Sequence, residues 1–260
     1  DGTSTLFLKE YDQAMHSDSG AYEESLLKHV FPSGVLGRRE AALNVLDVGF
    51  GLGYNVLALI HEFRKLERVP QIRIVSLERE RYLLGYMENI RFNDERDDIY
   101  GFIKDVYKSG RGESGSVIME ILFGEGREFL KKMHGIKFHA VFQDPFSPSK
   151  NPEMWSVDYF SVIAGLMEED AVLTTYSSAD QVRRAMLEAG FIIGKGPSVG
   201  KKREGTVAAK TAIIEGLEKN RIDEIWRNPR SVPYRDPGLT AARGDILSER
   251  LAEIKAARIR

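Results

Sequence analysis

Residues 45–55 read Val45-Leu46-Asp47-Val48-Gly49-Phe50-Gly51-Leu52-Gly53-Tyr54-Asn55. The apolar run Leu43–Val48 has the length and composition of a strand buried on both faces. Three glycines follow it at once. Then Val56-Leu57-Ala58-Leu59-Ile60-His61-Glu62-Phe63 carries apolar residues at helical spacing. Strand, glycine turn and helix in succession open a doubly wound α/β domain, whose ligands sit at the carboxyl ends of its strands. The glycines permit positive φ and close approach of a ligand, and the helix start offers unpaired N–H groups.

The glycines stand at 49, 51 and 53, giving G-x-G-x-G with Asp47 two residues ahead. The dinucleotide fingerprint is G-x-G-x-x-G, so NAD remains an alternative on this motif alone. The observed spacing, with its acid, resembles the first motif of class I S-adenosylmethionine (SAM) methyltransferases. SAM carries a sulfonium and an ammonium, which suit an acid at a strand end. A bare turn needs fewer glycines than three.

Composition narrows the field. The 260 residues are 42% hydrophobic and 29% charged, with no cysteine. A sizeable core is affordable, disulfides and thiolate metal sites are absent, and no apolar run approaches a membrane span. No secretory pattern opens the chain, so a cytoplasmic enzyme without membrane association is expected. The first residue is Asp1, which leaves room for a preceding segment. Net charge is −2. Between Lys195 and Arg235, however, ten Lys or Arg face five Asp or Glu, leaving the rest of the chain clearly acidic. Such a basic stretch suits a phosphate-tracking face or a plain solvated one.

Taken in order, residues 1–8 suggest a hairpin or edge strand, and Tyr22–Val30 a helix. The polar segment between them contains Tyr11, His16 and Ser17 and reads as a lid over a site. Ile72–Glu78 is a second strand ending on an acid suited to ribose hydroxyls. Tyr82–Asn93 reads as a helix and Gly110–Ser116 as a flexible loop. Val117–Phe123 is a third strand; Glu125 and Gly126 follow it, where an acid would meet an adenine amino group. Lys137–Gln143 is a fourth strand running into Asp144-Pro145-Phe146. Ser156–Leu166, Ala171–Tyr176 and Ala179–Ala189 read as helix, strand and helix. Phe191–Lys195 and Thr206–Ile214 form a closing antiparallel pair. Four successive strand ends thus carry ligand-type residues: Asp47 with its glycines, Glu78, Glu125 and Asp144.

Asp144-Pro145-Phe146 resembles the [N/D]-P-P-[Y/F] loop of amino-group methyltransferases, with Ser147 displacing one position. A neutral amine is the nucleophile there. Asp144 can take its proton or orient it, and Phe146 or Trp155 can stack on an extruded base. No metal-ligand cluster, nucleophile elbow or P-loop is present.

Six stretches together resemble one family: DGTSTL (1–6), HSDSGAYEES (16–25), VLDVGFGLGYN (45–55), DPFSPSKNPEMWS (144–156), TTYSSADQVRRAMLEAGF (174–191) and SVPYRDP (231–237). They are similar to the methyltransferase domain of the MnmC family, bacterial enzymes of wobble-uridine modification in tRNA. The resemblance implies a Rossmann-like class I SAM-dependent methyltransferase. Its fold would be a mostly parallel seven-stranded sheet with helices on both faces. It would occupy residues 1–215, with a lid segment at about 1–30 and a basic tail with a terminal helix at 216–260. It implies SAM as cofactor, with Gly49, Gly51, Gly53 and Glu78 lining its pocket and Asp144 beside the methyl acceptor, and no FAD and no metal; the strand-end reading adds Asp47, Asn55, Glu125, Gly126 and Asp144 as cofactor-binding candidates. It implies the anticodon stem-loop of tRNA as partner; on charge and chemistry the candidates to meet it are Tyr11, His16, Trp155, Tyr176, Lys201, Lys202 and Arg203. Catalysis falls to Asp144 and Phe146. The reaction implied is methylation of 5-aminomethyl-2-thiouridine to the 5-methylaminomethyl form, by a stand-alone domain acting after a separate enzyme that makes the precursor. Two positions depart from the family pattern: Glu125 stands where Asp is expected, and Pro145 where Ala is common. A small-amine N-methyltransferase of aminopropyltransferase shape and a catalytically silent RNA-binding module remain alternatives.

Overall fold

The computed structural model describes residues 7, 8, 13, 14, 20–199 and 204–259, with residues 7, 8, 13, 14 and 259 described by backbone alone. A two-stranded antiparallel hairpin, β1 (Phe7–Leu8) and β2 (Gln13–Ala14), opens it. Next, α1 (Ala21–Ser25) runs directly into a wide π-helical turn at Leu26–Val30. The chain then alternates: β3 (Ala42–Val48), α2 (Tyr54–Arg64), β4 (Gln71–Glu78), α3 (Leu84–Met87), α4 (Arg96–Ser109) and the hairpin β5 (Arg111–Ser114) with β6 (Val117–Phe123). Thereafter come α5 (Gly126–Lys132), β7 (Phe138–Gln143), α6 (Val157–Leu166), β8 (Met167–Thr175), α7 (Asp180–Glu188), β9 (Ile192–Lys195), β10 (Thr206–Ala209), α8 (Lys219–Arg227) and α9 (Arg243–Ile259).

One sheet has the order β5-β6-β4-β3-β7-β8-β10-β9. Its middle, from β6 to β8, is parallel, and the two edges close antiparallel. Side chains on successive residues leave a strand on opposite faces, and the core divides accordingly. Leu43 and Val45 of β3 and Ile72 and Ile74 of β4 join the cluster under α2 and α4. Leu46, Val48, Val75 and Leu77 join the cluster under α6 and α7. Helices on both faces explain why the β3 run is apolar throughout rather than alternating.

The expected seven strands are eight. Gly110, at φ 83, ends α4, and Gly115, at φ 58, turns the chain, so 110–116 builds an edge hairpin instead of a flexible loop. The helix expected over Tyr82–Asn93 shrinks to α3. Asn93 takes φ 59, and the Asp97 carboxylate accepts from the N–H groups of Phe92 and Asn93 at 2.9 and 3.0 Å. That bend starts α4, which the sequence reading left unassigned. Its Tyr100 hydroxyl donates to the carbonyl of Leu52 at 2.8 Å, so α4 steadies the glycine turn.

The segment from residue 216 onward, expected as a basic tail, packs into the core. Ile225, Tyr234, Leu239 and Ile246 are buried beside Trp155 and Tyr159. Asp236 is fully buried. Its carboxylate receives Arg127 Nη1 at 2.6 Å and the N–H groups of Thr240 and Ala241 at 3.0 and 2.8 Å. Its own N–H donates to Asp158 at 2.7 Å. Among the described residues no helix is long and apolar enough to cross a membrane.

Strand order reverses between β3 and β7, so their following loops diverge and leave a crevice. A Cβ on Gly49, at φ 86, would lie 2.6 Å from the Asp144 carbonyl oxygen. Gly34, at φ 68, has nothing within 4 Å of a Cβ. Chemical denaturation should therefore find Gly34→Ala costing about 1 kcal/mol, the conformational term alone. Gly49→Ala should cost at least about 2 kcal/mol more, because backbone must move. Equal costs would mean that the two loops are not packed as described.

Candidate active site

The glycine turn leans on the end of β4. Gly49 and Phe50 both donate N–H groups to the Leu77 carbonyl at 3.1 Å. Gly51, at φ 56, donates to Glu78 Oε2 at 2.7 Å, and Glu80 donates to Oε1 at 2.8 Å. Gly53, at φ 79, could not carry a Cβ, which would stand 2.7 Å from the Phe50 ring. Burial pushes the Glu78 carboxyl up to about 7 although backbone N–H donors pull it down. The Arg79 N–H is a third backbone donor to this carboxylate; with two acceptor sites per oxygen, capacity for one hydroxyl remains.

Asp47 lies beneath the turn and is fully buried. Ser76 Oγ donates to its Oδ2 at 2.9 Å. Asn55 Nδ2, in the first turn of α2, donates to Asp47 Oδ1 at 3.5 Å and to Asp144 Oδ2 at 3.0 Å. One amide thus bridges two carboxylates. Burial raises the Asp47 carboxyl to about 6, and the nearby Asp144 charge adds to the rise. Asp47 has no exposed surface, so it braces Asn55 rather than meeting a ligand. On its other side Asp144 faces His29 of the π turn, Nε2 to Oδ1 at 3.7 Å.

The loop after β7 is held from below. The Tyr176 hydroxyl donates to the Pro145 carbonyl at 2.9 Å, and Trp155 Nε1 donates to the Phe146 carbonyl at 2.8 Å. Gln143 Nε2 donates to the Met154 carbonyl, and Gln143 Oε1 accepts from the Tyr159 hydroxyl, both at 2.7 Å. These anchors leave Phe146 half-buried at the crevice. Trp155 corrects an expectation: it is fully buried and packs edge-on to Tyr176 at 5.8 Å, so it cannot stack on a base. An indole can be both apolar and donor, which makes it an anchor for a loop carbonyl.

Glu125 caps α5, and its carboxylate is gripped by Arg127, Nε to Oε1 at 3.2 Å and Nη2 to Oε2 at 3.3 Å. That engagement ties it to the clamp on Asp236, and the Glu125 side chain stays 41% exposed at the third strand end. Gly126 packs under Met154, whose Cε lies 3.0 Å from a notional Cβ. Tyr11, His16, Lys201, Lys202 and Arg203 fall outside the described residues. Among the described residues no group of three or more His, Asp or Glu could hold a metal ion. His29, Ser76 and Thr174 belong to the cluster and were not foreseen. His29 and Ser76 look like ordinary core-facing polar residues of a helix and a strand, and nothing in their spacing marks them.

A family model for S-adenosyl-L-methionine-dependent methyltransferases matches residues 99–211. An uncharacterized protein of Methanocaldococcus jannaschii is 31% identical over 96% of this chain and 69% of its own length. The tRNA 5-methylaminomethyl-2-thiouridine biosynthesis bifunctional protein MnmC of Cupriavidus metallidurans is 29% identical over 88% of this chain. This chain spans about a third of that relative, 34% of its length. The crystal structure of MnmC2 from Aquifex aeolicus superposes with a TM-score of 0.86 at 32% identity, covering 97% of this chain and 82% of that one.

The two buried carboxylates give the fold a pH signature. Both bind a proton more tightly folded than unfolded, so stability is highest where they are protonated and falls as pH rises. The Asp47 share is lost between about pH 4 and 6, and the Glu78 share between about 4.5 and 7. Asp47→Asn keeps an acceptor for Asn55 and removes the charge. Urea titrations at pH 4 and pH 6.5 should show the variant losing on the order of 2–3 kcal/mol less than wild type over that interval. Parallel curves would place Asp47 in a solvated setting.

Proposed function

The chain belongs to the MnmC-type family of S-adenosyl-L-methionine-dependent methyltransferases, and from that premise we propose that it methylates the 5-aminomethyl group of wobble 2-thiouridine in tRNA. The observation that carries the reading is Asp144: a carboxylate held at the strand-reversal crevice by Asn55, beside the glycine turn. The printed name of the Cupriavidus relative, tRNA 5-methylaminomethyl-2-thiouridine biosynthesis, supports the substrate.

The residues present fit SAM. Gly49, Gly51 and Gly53 all take positive φ, side chains at Gly49 and Gly53 would collide with neighbouring atoms, and Glu78 keeps acceptor capacity for a ribose hydroxyl. Asn55 stands at the same mouth, with Asp47 supporting it; Glu125 and Gly126 border the site at the third strand end. When bound, SAM supplies an electrophilic methyl on sulfur, and the C–S bond breaks as the C–N bond to the amine forms. The protein's part is chiefly positioning. Asp144 orients the amine and accepts its proton, so that nitrogen presents a lone pair. Phe146 offers a stacking face to a base from an anticodon loop, where bases are already accessible. Lys201, Lys202 and Arg203 supply charge for the phosphates on sequence grounds. Arg227 and Arg230 are exposed, whereas Arg235 is taken up by Glu188 at 2.8 Å. Tyr176 contributes through its hold on Pro145, and Tyr11 and His16 stand in the segment ahead of α1. A separate enzyme would supply the aminomethyl precursor.

Three measurements test the reading. Incubation with radiolabelled SAM and undermethylated tRNA, followed by nucleoside analysis, should place label in 5-methylaminomethyl-2-thiouridine. Label in a small amine without tRNA would replace the substrate. Asp144→Ala should lower turnover about 100-fold or more. Asp144→Asn should retain more activity if orientation dominates and less if proton removal does.

Cofactor affinity should carry a pH signature of its own. A ribose hydroxyl donates to the ionised Glu78, whose carboxyl lies at about 7. At pH 6 only about one carboxylate in ten is charged. Calorimetry should find SAM binding weakened up to about tenfold from pH 8 to pH 6, and a flat profile in Glu78→Gln. A wild-type profile that is already flat would remove Glu78 from the ribose site.

A further inference from the structure

His29 is an imidazole buried to 2% exposure at the one place where the first helix widens to π geometry. Such insertions collect at functional sites. Here the turn directs His29 over the ends of β7 and β8, against the Phe142 ring at 5.6 Å. Its Nδ1 lies 3.1 Å from Thr174 Oγ1. The Thr174 hydroxyl proton is directed to the Val141 carbonyl at 3.4 Å. On that assignment of the hydroxyl proton, the oxygen accepts from His29 Nδ1–H. With the proton on Nδ1, the lone pair of Nε2 faces Asp144 Oδ1. Among the described residues, the charged groups facing the ring are Asp144 from the loop after β7 and, deeper, Asp47 from β3. The neighbouring Lys28 turns away to the Pro197 carbonyl at 2.7 Å.

Resting on the amine-methylation reading, we infer that His29 is a positioning residue that receives, through Asp144, the proton shed by the substrate ammonium. A primary alkyl ammonium loses its proton near pH 10, so at neutral pH the acceptor arrives without a lone pair. Its N–H bond breaks toward Asp144, and the electron pair stays on nitrogen. The proton then passes from Asp144 Oδ1 to His29 Nε2. The 3.7 Å gap is one that a small rotation or a bridging water spans. Asp144 is left anionic and goes on orienting the amine, which a carboxylic acid would do poorly. Asn55 holds the other oxygen, Oδ2, so the two carboxylate oxygens have separate partners. After transfer and product release, the proton returns through Asp144, whose side chain is 23% exposed, to water.

Two variants separate the relay from packing. His29→Asn sets an amide at the position of Nδ1 for Thr174 and removes Nε2. His29→Gln sets an amide near Nε2 that is not a base. Both should lower kcat at pH 7 at least tenfold, with KM for tRNA and SAM affinity little changed. The loss should shrink as pH approaches 9.5, where the amine sheds its proton unaided. An equal loss at every pH, or full activity in His29→Asn, overturns the relay. A wild type that transfers no methyl to tRNA overturns the relay and the functional reading together. A fully active His29→Asn with an active wild type overturns the relay alone. A readout without turnover is nitrogen NMR of the ligand-free protein: Asp144→Asn should move the His29 Nε2 resonance, and an unmoved resonance overturns the relay.

Discussion

Between the Cα of Gly49 and the Asp144 carbonyl there is no room for a side chain, and that contact sets the site. β3 and β7 are parallel neighbours, and the Asp144 N–H donates to the Val48 carbonyl at 2.9 Å. Two loops leaving adjacent strands must diverge within one residue of that bond. The turn after β3 can do so with positive φ at Gly49, because only glycine takes that conformation at no cost in crowding. Once the turn is fixed, α2 starts at Tyr54 and Asn55 falls between the two carboxylates. The distance from Asp144 to the glycine turn is thus a property of backbone packing, not of side-chain choice.

The second constraint is electrostatic. The fold buries Asp47 and Glu78 at the ends of adjacent strands, and burial raises the carboxyls to about 6 and about 7. Unpaired, such anions would be expensive. Each is instead met by donors fixed by the main chain or by a short side chain: the Gly51 and Glu80 N–H groups, the Ser76 hydroxyl and the Asn55 amide. Donors that cannot swing away keep the site formed before any ligand arrives. Glu78 is the incomplete case. It is satisfied enough to be tolerated, yet acceptor capacity remains, and a ligand hydroxyl would complete the shell that burial took away.

What the sequence disclosed follows from what is local. The strand–turn–helix and the strand ends are set by neighbouring residues and fell where expected, and so did the helix at 156–166, whose first residue Ser156 is its cap and accepts from the Tyr159 N–H at 3.1 Å. The parts that escaped are set by distant ones. α4 begins where Asp97 reaches back to Phe92 and Asn93, inside a stretch whose charges look like loop. The β5 strand exists because β6 offers it an edge. His29 is ordinary until the π turn and Asp144, 115 residues on, are brought together. The grip of Arg127 on Glu125, part of a clamp on Asp236, is likewise visible only in the folded chain.

The stretch 144–156 shows why a family-specific motif need not be chemical throughout. Asp144 and Phe146 stand at the crevice, but Trp155, Met154 and Pro152 are buried and serve to fix the loop. The same holds for residues 231–237. There Tyr234 bridges to Ser156, and its carbonyl accepts from the Val157 N–H at 3.0 Å, while Asp236 locks Arg127. The last forty residues therefore reach the site without touching it. They hold the start of α6, which ends the loop that carries Asp144. A half-ångström slip there would move the carboxylate relative to Asn55, and hydrogen bonds at 3.0 Å weaken steeply with such a slip. Positional accuracy at one carboxylate is thus distributed over segments nearly 200 residues apart, and the motif records that architecture as much as the reaction.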